Sequence, residues 1–201
     1  DKIALCGRNC SNWGVTFLAI ETYKAVAVSI LPDFTGEGVE NLVNHSEAKI
    51  LFVDDVIWEG LTETEMPDLH AIIQVNTFKL LYAADEKITE AREHLNELFG
   101  RKYPNVFTPD ALDYYEDSAE ELAIINYTSG TSGFSKGVMI PYRAILSNLE
   151  FGRKVLPELD HTKNMVSMLP SAHMYGLMFE LLYELSVGAH VHFLSRVPSP
   201  K

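Results

Sequence analysis

Leu122-Ala123-Ile124-Ile125-Asn126-Tyr127-Thr128-Ser129-Gly130-Thr131-Ser132-Gly133-Phe134-Ser135-Lys136-Gly137-Val138-Met139-Ile140 is the stretch on which the reading of this chain turns. A short apolar run of strand length comes first. A loop of small, hydroxylated and glycine residues follows, then one lysine, then a second short apolar run. Glycines let a backbone approach a ligand closely and turn its N–H groups inward. The hydroxyls add donors and the lysine adds positive charge, so the composition suits the holding of a polyphosphate.

The P-loop of nucleotide hydrolases needs glycine directly before its lysine and Ser or Thr directly after it. Here Ser135 precedes Lys136 and Gly137 follows. A P-loop also opens straight into a helix, whereas this loop leads into the strand-like Val138-Met139-Ile140, with a helix expected only near Pro141. Spacing and context both exclude it. Tyr127, Thr128, Ser129, Gly130, Thr131, Gly133, Lys136 and Gly137 instead match the Tyr-Thr-Ser-Gly-Thr-Thr-Gly-x-Pro-Lys-Gly signature of the adenylate-forming (AMP-binding) enzymes, which the chain resembles. Ser132 replaces a threonine and keeps its hydroxyl; Ser135 stands where proline is usual, which predicts a looser loop.

A second resemblance lies downstream. Leu169-Pro170-Ser171-Ala172-His173-Met174-Tyr175-Gly176 looks like the family's Leu-Pro-x-x-His-x-x-Gly motif, and the start of the chain, around Trp13, 27–32 and 46–54, reads like its N-terminal region. The details around Met139, Arg143, Ser147 and Asn148, and the run 195–201, look like the acyl-CoA synthetase branch and its long-chain fatty-acid–CoA ligases.

The resemblance implies a fold and a chemistry. The fold is α/β, a mainly parallel sheet with flanking helices, part of the large N-terminal domain of these enzymes. The chemistry joins a carboxylic acid to ATP as an acyl-adenylate and passes the acyl group to coenzyme A. It implies that Thr128, Ser129, Gly130, Thr131, Ser132, Gly133 and Lys136 hold the ATP phosphates. Thr131 would also lie at the Mg²⁺ ion, and His173 would act beside the acyl pocket and the α-phosphate. Adenylation of an aryl, medium-chain or amino acid remains open, as does a non-catalytic nucleotide-binding scaffold.

Composition sets outer limits. Sixteen Lys and Arg against 28 Asp and Glu give a formal charge of −12 in 201 residues. Such a chain has little overall attraction for nucleic acid. The expected partners are small molecules: a carboxylic acid, ATP and coenzyme A. Cys6 and Cys10 lack metal or redox spacing, which suggests a reducing, cytoplasmic compartment. No apolar stretch reads as a membrane span, and peripheral membrane contact stays open. The chain reads as a fragment of the N-terminal domain, with 1–120 a first α/β segment and 121–201 the phosphate-loop segment. The resemblance implies that the C-terminal domain, the adenine- and ribose-binding residues and an Mg²⁺-binding glutamate would lie beyond Lys201.

Short apolar runs alternate with helical patterns, as in a parallel α/β sheet. Strands are expected at 3–6, 27–31, 50–53, 71–75, 79–82, 122–127, 138–140, 164–169 and 189–194. A first helix should start at a Ser11/Asn12 cap and bury Trp13, Phe17 and Ile20 at i, i+4, i+7. One helix should run from 86 to 99 with Ile88, Ala91, Leu95, Leu98 and Phe99 as its apolar stripe and Gly100 as its stop. Another, opening with Pro141 in its first turn, should turn Ile145, Leu149 and Val155 inward. A last helix, 175–187, should be largely buried. The exposed Glu86, Glu90, Glu93, Glu97 and His94 read as a solvated face, and His45, His70 and His161 carry no assignment.

Overall fold

The computed structural model describes residues 1–112, 118–128 and 135–194. The chain opens with β1 (Lys2–Cys6), α1 (Ser11–Thr22), β2 (Val26–Ile30), α2 (Gly36–Ser46), β3 (Ile50–Val53) and the single turn α3 (Asp55–Trp58). It continues through β4 (Ala71–Gln74), β5 (Leu80–Ala83), α4 (Glu86–Glu93) and α5 (Leu95–Lys102). The second part holds β6 (Leu122–Thr128), β7 (Lys136–Pro141), α6 (Tyr142–Val155), β8 (Asn164–Ser167), α7 (Met174–Leu177), α8 (Tyr183–Ser186) and β9 (His190–Phe193).

Seven strands form one sheet in the order β5-β4-β3-β1-β2-β6-β7. The five inner strands pair in parallel, and the two edges, β5 and β7, run antiparallel to their neighbours. β8 and β9 make a separate parallel pair. The inner strands read as nearly continuous apolar runs because helices cover both faces. Alternation along β1 separates the two cores: Ala4 and Cys6 join α2 residues Val39, Leu42 and Val43 on one face. Ile3 and Leu5 join Trp13, Phe17, Ile145 and Leu181 on the other. Every expected strand lies on an observed one, each with ends shifted by at most two residues.

The helices depart further from expectation. The cap of α1 is Cys10, whose Sγ accepts from Trp13 N at 3.3 Å, rather than Ser11 or Asn12; Trp13, Phe17 and Ile20 are buried as expected. The long helix at 86–99 is two helices, broken at His94, and the second passes Gly100 to end at Lys102. α4 lies beside the edge strand β5, yet neither helix has a buried residue. Phe99 instead packs on the rings of Tyr103 and Phe107 at 5.0 and 5.5 Å, a local aromatic cluster that periodicity alone cannot distinguish from a core contact. Pro141 occupies the N-cap of α6 rather than its first turn, and Val155 is exposed while Ile145 is buried. The last helical segment begins at Met174 and carries a π-helical turn, Met178–Leu182, between α7 and α8.

Candidate active site

The phosphate-loop sequence connects two antiparallel strands. β6 and β7 are in register from Ile124↔Ile140 to Thr128↔Lys136, with an irregularity between Leu122 and Ile124. Thr128, the last residue of β6, and Lys136, the first of β7, therefore face each other across this antiparallel pair. This is the strand–loop–strand context that separates the loop from a P-loop. Gly137 lets the strands close: a Cβ there would lie 3.1 Å from Ile125 Cγ2 and 3.2 Å from Tyr127 Cε1. Thr128 and Lys136 are exposed, and no described carboxylate pairs with Lys136. In a chain of net charge −12, an unpaired lysine at the mouth of a hydroxyl-rich loop fits an anionic phosphate. Ser129, Gly130, Thr131, Ser132 and Gly133 lie outside the described residues, as does the run 195–201. Among the described residues no Cys, His and carboxylate cluster could hold a metal.

Alternation in β6 sets the two faces of the hairpin base. Tyr127 points into the α2 side, where its ring is 2% exposed and its Oη lies 2.6 Å from His45 Nδ1. Burial pushes the Tyr127 phenol above the usual tyrosine value. The phenol stays protonated, and the two rings meet edge-on at 5.7 Å. Asn126 faces the other way, and its Nδ2 donates to Ala172 O at 2.7 Å. The strand that feeds the phosphate loop is thereby tied to the residue before His173.

His173 sits at the N-cap of α7. Its Nδ1 accepts from Tyr175 N at 3.2 Å, and its backbone N–H donates to Pro170 O at 2.8 Å. The ring is exposed. With Nδ1 accepting, a neutral ring carries its proton on Nε2. Gly176 permits this turn, because a Cβ would stand 2.4 Å from Pro170 O. Asn9, just past the carboxyl end of β1, holds the same segment: its Nδ2 donates to Ser167 Oγ (3.0 Å) and Leu169 O (2.5 Å), and its Oδ1 accepts from Ser171 N (2.6 Å). Glu180 Oε2 accepts from Met168 N (2.6 Å) and Leu169 N (2.8 Å). Asn9, Thr128 and the hairpin all stand at the carboxyl ends of parallel strands, where open α/β sheets take their ligands.

Of the expected site residues, Thr128 and Lys136 are brought together by register, and His173 is linked to their strand through Asn126. The sequence reading passed over Asn9, Asn126, His45 and Glu180. Asn126 did carry a signal: a polar residue inside an apolar inner strand must find a partner.

The family profile described as AMP-binding enzyme matches residues 1–201, the whole chain. Among curated proteins, a long-chain-fatty-acid–CoA ligase of Salmonella typhimurium is 24% identical over 94% of this chain and 36% of its own length. Long-chain-fatty-acid–CoA ligase 1 of Homo sapiens is 28% identical over 95% of this chain and 28% of its own. The chain thus spans about a third of the length of the curated relatives it matches. Among solved structures, a red-emitting luciferase of Phrixothrix hirtus superposes with a TM-score of 0.79 at 17% identity, over all of this chain and 37% of that one. ATP-bound MatB of Rhodopseudomonas palustris superposes with a TM-score of 0.73 at 20% identity, over 98% and 35%.

Proposed function

From a chain that belongs to the AMP-binding enzyme family, we propose that these residues form the phosphate-gripping part of an ATP-dependent acid–thiol ligase. The acid is a long-chain fatty acid, a reading supported by distant relatives of 24–28% identity that bear that name. The observation that carries the proposal is the hairpin with exposed Thr128 and Lys136 at its mouth and the His173 turn tied to its strand.

Two anions must meet in this reaction. The carboxylate oxygen attacks the α-phosphorus of ATP, the bond to the β-phosphate oxygen breaks, and pyrophosphate leaves. The thiol of coenzyme A then attacks the acyl carbon and AMP leaves. Positioning and electrostatic stabilisation supply the acceleration. Lys136 offsets charge on the leaving pyrophosphate. Thr128, Ser129, Thr131 and Ser132 donate hydroxyls, and Gly130 and Gly133 contribute backbone N–H groups. Thr131 is the hydroxyl assigned to Mg²⁺, which would screen the phosphate charges when bound. His173 orients the carboxylate near the α-phosphate. The 201-residue chain supplies the grip only, so the activity is assigned to a full-length protein that contains it.

Oxygen-18 tests this directly. When such a protein turns over an ¹⁸O-labelled fatty carboxylate with ATP and coenzyme A, one labelled oxygen should appear in AMP. Label in inorganic phosphate instead, with ADP as product, would refute the adenylate route.

A further inference from the structure

We propose that Asn9 and Asn126 are positioning residues that fix the His173 turn against the phosphate hairpin, so that the two halves of the site are held in one register. The inference rests on the adenylating reading above and names residues to which that reading gives no role.

Residues 168–172 form no regular structure after β8, yet the polar groups from Ser167 to Ala172 are held from three separate elements. Asn126, one pleat before Thr128 and on the same face of β6, donates to Ala172 O at 2.7 Å. Asn9, from the turn after β1, uses both ends of its amide: Nδ2 to Ser167 Oγ and Leu169 O, and Oδ1 to Ser171 N. Glu180, from the π-helical turn, takes the N–H groups of Met168 and Leu169 on one oxygen. The asparagine contacts join residues 46 and about 160 positions apart in the chain.

A buried amide is a poor choice for bulk packing, since an apolar side chain of similar size needs no partner. Asn126 is 7% exposed, and only its hydrogen bond explains it there. The amide gives direction. It sets where Ala172, and with it His173, stands relative to the strand that ends in Thr128. The π-helical turn re-aims Glu180 toward the same segment, a common use of such turns near functional sites. Displacement of an orienting group by about 1 Å costs on the order of 100-fold in rate.

A double-mutant cycle in the full-length protein tests the coupling, with carboxylate-dependent ATP–pyrophosphate exchange as readout. Asn126→Leu should lower kcat/KM about tenfold on the native background and by less than about twofold on a His173→Ala background, because it acts through His173. Additive losses in the two backgrounds overturn the proposal. A second measurement is independent of catalysis: backbone hydrogen exchange in Asn9→Leu and Asn126→Leu. Faster exchange confined to 168–176 supports positioning. Unchanged exchange there, or loosening spread through α1 and β6, overturns it. If the native protein shows no exchange of pyrophosphate with any carboxylate, the adenylating reading fails, and the hydrogen-exchange result still decides the positioning claim.

Discussion

Glu184 is the residue most at odds with its surroundings. It is fully buried in α8, and neither carboxylate oxygen has a hydrogen-bond partner among the described residues. Burial, with a smaller contribution from the Glu180 charge, raises its pKa above the ordinary carboxylate value. The folded chain therefore keeps a proton that the unfolded chain releases. Stability from this group is fully present below the unfolded pKa and is lost as pH rises through the folded one. The thermal midpoint of Glu184→Gln should depend less on pH than that of the native chain, with the native chain losing more between mildly acid and neutral pH. Parallel pH profiles for the two would show that Glu184 is partnered in solution. The same scale explains what the sequence could not disclose. Glu180 and Glu184 lie four residues apart in one helical stretch, but Glu180 accepts from the N–H groups of Met168 and Leu169, while Glu184 finds no partner elsewhere among the described residues. That difference depends on how 167–172 folds back, which no local pattern encodes.

Elements were legible where their signal was local. Strand positions followed from short apolar runs between turns, and the runs on either side of the phosphate loop placed it between two strands. Helix continuity was less legible. The pattern at 86–99 satisfies helical periodicity, yet His94 breaks it, because Leu95, Leu98 and Phe99 find no sheet to cover. Without tertiary contacts, periodicity does not hold a long helix together. α6 shows the opposite case. Gly152 looked unremarkable in the sequence, but a Cβ there would lie 2.7 Å from Tyr183 Cδ2. The bare backbone lets α6 close on the Tyr183 ring, whose Oη donates to Leu156 O at 2.9 Å. Gly152→Ala raises helix propensity by up to about 1 kcal/mol. Overpacking against Tyr183 should outweigh that gain, with a net loss of about 1–2 kcal/mol. A urea titration reads this as a lower midpoint at unchanged slope; an unchanged or higher midpoint would mean that the ring moves aside freely.

At the scale of the molecule, two α/β layers are carried by one sheet, and the candidate site occupies the carboxyl ends of its central strands. Among the described residues no helix is long and apolar enough to cross a membrane. α1, α6 and α8 leave Leu18, Leu146, Phe151 and Leu185 exposed on the outer face of the second core. The relatives run about three times the length of this chain, so the adenylating account is an account of a longer protein. Of the candidate site, Thr128, Lys136 and His173 were named from the resemblance of their motifs. The way those residues are joined, through Asn126 and Asn9, came only from three-dimensional contact. The central claim is that this hairpin grips the pyrophosphate end of ATP during carboxylate activation. Isotopic exchange of pyrophosphate into ATP by the full-length protein, with and without a long-chain fatty acid, measures that step. The account predicts exchange that requires the fatty acid and falls about a hundredfold in Lys136→Ala with the fold intact; exchange independent of carboxylate, or unaffected by the loss of Lys136, would contradict it.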